Sequence, residues 1–151
     1  ANAKYLGSQE GDQLRLAISN SIDGSSNASA EAEGLAQLYS NVVALTEKDG
    51  VITGCYFDAI QAKVNFDTTG TITTDLSAPM QTKNQLGENY GMVAWGGAIA
   101  EWDQQAASFA EYVTGKTADE VAEGKATDAD LVSSVTIKIG EFQDLIAKAM
   151  K

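Results

Sequence analysis

The sequence predicts an α+β domain: an antiparallel sheet from the N-terminal half packed against helices from the C-terminal half. Three observations lead there. Asp49-Gly50 separates two β-rich runs, and both residues tolerate the positive φ that a tight hairpin turn requires. Beyond Pro79, the only proline, apolar residues recur at helical spacing, as Ile99, Trp102, Ala106, Phe109 and Val113 and again as Val135, Ile139, Phe142, Ile146 and Ala149. The 151 residues suit a single domain spanning 1–151, and a chain of this size buries roughly 68–70% of its unfolded surface, enough for a core without staples.

The elements follow in order. Leu14, Leu16 and Ile18 alternate with Gln13, Arg15 and Ala17, which predicts a short strand with the leucine face buried. Residues 19–34 are rich in Ser, Asn, Ala and Glu, and read as a surface loop or as a short helix around 28–32. The hairpin occupies 36–66, with Val42, Val43 and Leu45 in its first arm and Val51, Ile52, Tyr56, Phe57, Ile60, Val64 and Phe66 in its second. That second arm is long, so a bulge or bend is expected near Gly54 or Ala59. A turn at Asp67-Thr68-Thr69-Gly70 leads to a further β-rich run at 71–74.

Residues 81–86 offer one or two helical turns, stopped by Gly87. The helix carrying Trp102 and Phe109 ends near Gly115, a residue suited to the left-handed position past a helix end. Thr117-Ala118-Asp119-Glu120 is a capping-box pattern that opens another short helix, and Thr127-Asp128-Ala129-Asp130 is a weaker version. A last helix is expected to start near Ser134, with Lys148 and Lys151 at the end where cations suit its dipole. Taken alone, Val135-Thr136-Ile137 also suits a strand.

Composition excludes whole classes of function. Hydrophobic residues at 44% argue against disorder. A net charge of −11 repels nucleic acid and anionic membranes, so no nucleic-acid partner is expected. With no histidine, triads built on an imidazole base are impossible. The single cysteine, Cys55, builds neither an internal disulfide nor a thiolate metal site, and its strand-like setting suits a small buried residue. No stretch is long and apolar enough to cross a membrane, and no signal peptide is visible. The start at Ala1, without methionine, suits a mature or trimmed chain whose export leader has been removed.

Three constellations carry chemical suggestion. In Asp130-Leu131-Val132-Ser133-Ser134-Val135-Thr136, the hydroxyls of Ser133, Ser134 and Thr136 and the amides of a helix start suit a phosphate, although Ser and Thr are also ordinary caps. In the run from Tyr90 to Gly97, Tyr90, Met92 and Trp95 beside glycines suit a wall against a flat ring system, or a plug where sheet meets helices. The carboxylates Asp67, Asp75, Asp103, Asp119, Asp128 and Asp130 lack calcium-loop spacing and suit a solvated acidic face. No catalytic residue and no metal ligand is singled out.

The segment 130–136 resembles the flavin-attachment motif of the FMN-binding domain family: Asp, two variable residues, Ser or Thr, Gly, Ala and Thr, then a helix. Further likeness lies in the hairpin around Asp49-Gly50, in Lys63-Val64-Asn65-Phe66-Asp67, Tyr90-Gly91-Met92 and Trp102, and in the stretch from Val113 to Val121. Together these are similar to Clostridia-type surface lipoproteins described as FMN-binding or major-membrane-immunogen-like, and the likeness runs along nearly the whole chain. The resemblance implies an exported, lipid-anchored, extracytoplasmic domain that touches the membrane only through a removed N-terminal anchor. It implies a flavin-based electron relay with a redox partner in the cell envelope. FMN would lie at Asp130, Ser133, Ser134, Val135 and Thr136, with Tyr90, Met92 and Trp95 against its ring. Ser134 stands where the motif has Gly, and Val135 where it has Ala; both crowd the turn. The departure points to FMN held without a covalent bond, or to a flavin-free surface lipoprotein that binds a small ligand or an envelope protein.

Overall fold

The structure is a computed structural model that describes residues 9–151. Three antiparallel strands, β1 (Gln13–Ser21), β2 (Gly34–Lys48) and β3 (Val51–Phe66), form one sheet in the order β1-β2-β3. Five helices follow: α1 (Lys83–Leu86), α2 (Met92–Gly96), α3 (Trp102–Val113), α4 (Ala118–Glu123) and α5 (Gly140–Ala149). A 3-10 turn, Gly87–Tyr90, joins α1 to α2. The N-terminal sheet packed by C-terminal helices is the expected α+β arrangement, with α3 against β3 and α5 against β1 and β2.

The hairpin turn forms as its residues dictate, with Asp49 at φ 54° and Gly50 at φ 81°. The expected bulge is present: Thr46 pairs with Gly54 and Glu47 with Ile52, which leaves Thr53 as the extra residue. The Thr53 hydroxyl sits 3.0 Å from both the Asp12 carboxylate and the Thr46 hydroxyl. Between β1 and β2 the chain is a loop without helix, pinned to β2 by a bridge from Ser26 to Leu35 and by Ser25 Oγ, which bonds the Gln37 backbone. Residues 71–74 do not form a strand; only Ile72 bridges Phe66.

One face of the sheet carries Val43, Leu45, Cys55, Phe57 and Ala59 into the core. There Phe57 meets Phe142 with ring centroids 4.5 Å apart, and Phe109 and Trp102 flank Phe142 at 5.5 Å and 5.9 Å. The β1 strand exists, but its faces are the reverse of the expected ones. Ala17 is buried, whereas Leu14 and Leu16 are 70% and 63% exposed and Ile18 is also outward. Register is the reason. Residues directly opposite in antiparallel strands share a face, and Ala17 stands opposite Val43 and Arg15 opposite Leu45. Once Val43 and Leu45 turn inward, Leu14, Leu16 and Ile18 must turn outward with Thr46, Ala44 and Val42.

The helical half keeps most of its expected punctuation. Thr117 caps α4 with the expected box to Glu120, and the structure adds a second box, not anticipated, from Thr82 to Gln85 at α1. Gly115 follows α3 at φ 88°. Ile99, expected on the buried helical face, precedes α3 and is exposed. The weaker capping pattern at 127–130 starts no helix and forms turns. The last helix starts at Gly140 rather than near Ser134. Val135 and Ile139 are buried all the same, on the irregular segment that leads into α5.

Candidate functional site

The segment 130–136 is anchored by two apolar side chains, Leu131 and Val135, both inside the core. Around them the chain is a series of turns. Asp128 accepts the Lys125 N–H at 2.8 Å and the Tyr112 hydroxyl at 3.2 Å, and Ser134 Oγ lies 3.4 Å from the Leu131 carbonyl. Asp130 and Ser133 are at the surface. Asp130 and Ser134 share a shallow depression with Glu111 and Lys116.

Gln105 decides what the end of this segment does. It projects from α3 and is fully buried, and its Oε1 accepts the Thr136 N–H at 2.8 Å, the Thr136 hydroxyl at 3.2 Å and the Ile137 N–H at 3.1 Å. Its Nε2 donates to the Ala100 carbonyl at 2.8 Å. Three donors therefore converge on one oxygen, the arrangement a phosphate oxygen would receive, and a side-chain amide of the same chain fills it. The same bonds hold residues 135–137 out of helical geometry, which accounts for the late start of α5. The sequence signal for Gln105 was available: it is the polar residue on the apolar stripe of α3, beside Trp102, Ala106 and Phe109.

A second feature lies next to it. A hollow of about 240 Å³ is lined by Tyr39, Lys83, Tyr90, Met92, Trp102, Ile137, Lys138, Glu141 and Phe142. It brings together Tyr90 and Met92 from the expected ring wall with the residues that directly follow Thr136. Trp95 does not join them: it is 90% exposed, its ring resting over Gly91, where any side chain would collide with it. Gly91 also takes φ 80°, a backbone that favours glycine. The buried Glu101, at the N-terminus of α3, accepts the Met92 N–H at 2.9 Å and the Val93 N–H at 3.0 Å. That carboxylate fixes where Met92 stands.

Lys83 is the electrostatic centre of the hollow. Its Nζ lies 4.7 Å from the ring centroids of Tyr39 and Tyr90 and 5.0 Å from that of Trp102, and it donates to the Tyr39 hydroxyl at 3.0 Å. Ring faces carry negative charge and attract an ammonium. Burial lowers the Lys83 pKa to about 8, and the nearby Glu141 charge offsets this in part. Burial, followed by the Glu141 charge, raises Tyr39 to about 12. Among the described residues no carboxylate comes within salt-bridge distance of Lys83. Glu141 instead receives the amide of the buried Asn41 at 3.2 Å. Lys83 is placed by α1, which Asn84 ties to the edge of β3 through the Phe57 carbonyl at 2.7 Å. Its role was hidden in the sequence, because the three rings come from three separate elements.

No family model, curated protein or solved structure matches the chain. Among the described residues no group of three His, Cys, Asp or Glu side chains is placed to hold a metal, and no helix is long and apolar enough to cross a membrane. A smaller cavity of about 140 Å³ between β3 and α3 is lined by Cys55, Asn84 and Asp103. Burial pushes the Cys55 thiol up to about 12, so it is not a nucleophile at neutral pH.

The residues present fit one end of FMN and no more. Pockets that enclose drug-sized ligands measure roughly 300–1,000 Å³, and this hollow is smaller. It offers a cation and aromatic walls to a single ring or a single anionic group. The donors expected to hold the flavin phosphate at Thr136 are already taken by Gln105.

Proposed function

We propose that this is a binding domain rather than a stand-alone catalyst, and that its ligand is a small planar anion received at Lys83. The observation that carries the proposal is a buried ammonium that faces an aromatic hollow without a carboxylate partner among the described residues. Such a charge is costly to bury unpaired, and a perturbed cation in a cleft marks a functional site. Glu141 lines the hollow without an ion pair to Lys83, so a carboxylate or phosphate from a ligand would supply a direct counter-charge, and Tyr90, Met92 and Trp102 would supply contact for a flat body.

FMN, held without a covalent bond, is the member of this ligand class that the family resemblance implies. Bound flavin would supply the redox chemistry. The residues of this chain would orient it and shield one edge from water, and the acidic surface would oppose added negative charge and make reduction harder. In this reading the domain is an extracytoplasmic, lipid-anchored electron relay with a redox partner in the cell envelope. A second reading is a flavin-free surface lipoprotein that takes another small ligand or an envelope protein. It is favoured by Gln105, whose oxygen already receives the donors that a flavin phosphate would need.

The test is a titration of purified protein with FMN, followed by flavin fluorescence and the visible spectrum. Quenching that saturates in the micromolar range and is lost in Lys83→Met is the expected result. No quenching into the high-micromolar range removes FMN and leaves the second reading. FMN binding that Lys83→Met leaves intact overturns the assignment of the hollow.

A further inference from the structure

The outer face of the sheet is apolar where a wet antiparallel face is ordinarily polar. It presents Leu14, Leu16 and Ile18 from β1 and Leu38, Val42 and Ala44 from β2. Helices α3 and α5 pack on the opposite face, α5 reaching β1 and β2 from that side, while α1 sits at the β3 edge, where Asn84 bonds Tyr56 and Asp58. Asp58 is the one charged residue among the paired outer positions from Leu14 to Asn20 and their partners on β2 and β3. Its Oδ1 is turned to backbone, accepting the N–H groups of Ala59 at 2.8 Å and Asn84 at 3.3 Å. In a chain with 21 acidic and 10 basic residues, so neutral a surface is the exception.

We propose that two copies of this chain associate through this face, sheet against sheet about a two-fold axis. Charge selects the occupant. At −11, two copies repel each other everywhere except where the contact is neutral, and a two-fold contact sets this neutral face against itself. A cationic partner drawn by the net charge finds one carboxylate here, the half-buried Asp58 at the β3 edge, and an anionic membrane is repelled. Joining edges instead of faces is opposed by Lys148, whose Nζ takes the Ile18 carbonyl; a further strand would have to displace that charge from the β1 backbone. The size is adequate for a weak dimer. At a rise of ~3.4 Å and a strand spacing of ~4.8 Å, the face covers on the order of 400 Å² in plane. That is about half the ~800 Å² per partner of a standard interface, a size that suits a weak, reversible contact.

The experiment is sedimentation velocity on the full chain across the micromolar range, at low and high salt. A reversible dimer is expected, and it tightens with salt as the repulsion between acidic copies is screened. Leu16→Glu places a carboxylate at the centre of the face and weakens the dimer by about tenfold or more, with the far-UV spectrum unchanged. Leu14→Ser, a milder change at a more exposed position, weakens it in the same direction should Leu16→Glu disturb folding. Trp95→Ser, elsewhere on the surface, leaves the dimer as it is. A single-chain mass at every concentration and salt overturns the proposal, as does a Leu16→Glu dimer as tight as the original. Flotation of the monomer with neutral phosphatidylcholine vesicles, lost in Leu16→Glu, also overturns it and makes the occupant a lipid surface.

Discussion

The side-chain carbonyl of Gln105 lies 2.8 Å from the N–H of Thr136 and 3.2 Å from its hydroxyl, with the Gln105 side chain wholly inside the protein. Replacing Gln105 by Leu keeps the bulk and removes the acceptor. Two backbone N–H groups and a hydroxyl then lose their partner, as does the Ala100 carbonyl. Each unmet buried group costs roughly 1–3 kcal/mol, and the surface position of Thr136 lets water replace part of it. A net loss of about 2–4 kcal/mol is expected, read as a lower urea midpoint. Gln105→Ala opens the cradle, and its melting temperature should rise with added inorganic phosphate more than that of the unaltered protein.

Lys83 makes stability depend on pH in an uncommon direction. Its pKa falls from 10.5 in the unfolded chain to about 8 in the folded one. Between those values the unfolded state binds more protons, so unfolding becomes harder as pH rises. The penalty for burying the ammonium is fully present below pH ~8 and relieved above it. Its scale is up to about 3 kcal/mol before screening by solvent is allowed for. Tyr39, raised to about 12, works the other way above pH ~10, where the unfolded tyrosine ionises first. Urea midpoints should therefore rise from pH ~8 to ~10 and then level or fall. Lys83→Met should be more stable at neutral pH and lose the rise.

The same titration governs ligand binding. An anion that depends on the Lys83 charge should lose affinity by up to tenfold per pH unit once the lysine deprotonates above about 8. A bound anion raises the lysine pKa, so the loss sets in at higher pH for tighter ligands. Because the chain carries −11, the association rate of an anion should increase with salt, the reverse of ordinary steering. Stopped-flow quenching over a pH and salt series measures both.

Phe142 joins the sheet to the helices. Its ring touches Phe57 of β3 and Phe109 and Trp102 of α3. Phe142→Ala should cost about 3–5 kcal/mol, and because its neighbours are large and stiff the gap should collapse little. Denaturant unfolding checks the value; a cost under ~1 kcal/mol would mean that α5 is not packed as described.

Local chemistry was legible in the sequence and long-range placement was not. Asp49-Gly50, the Thr117 capping box and Gly115 each specify a backbone shape within a few residues, and each formed as expected; the Thr82 box is equally local and was readable in Thr82–Gln85. The faces of β1 depend on which residue of β2 stands opposite Ala17, a matter of register 26 positions away, and alternation alone does not say which face is wet. The start of α5 depends on Gln105, 31 positions from Thr136. Helical spacing from Val135 correctly marked what is buried and misplaced what is helical. At the candidate site, Tyr90 and Met92 were visible as a possible wall. Lys83 was not, since lysine is ordinarily a surface residue and the rings that hold it come from β2, the turn before α2, and α3.

The Glu101 clip gives the hollow a built-in gauge. One carboxylate grips Met92, which lines the wall, and Val93, which leads to Trp95 out in solvent. The clip, the wall and the indole thus sit on one short stretch of backbone braced against the start of α3. A ligand that displaces Met92 must tug on the same clip, and the indole resting over Gly91 would move with it. Trp102 is buried and lines the hollow, so its emission lies to the blue and responds to a ligand directly, whereas a change in red-shifted emission belongs to Trp95. The protein can therefore be watched filling its hollow without any label.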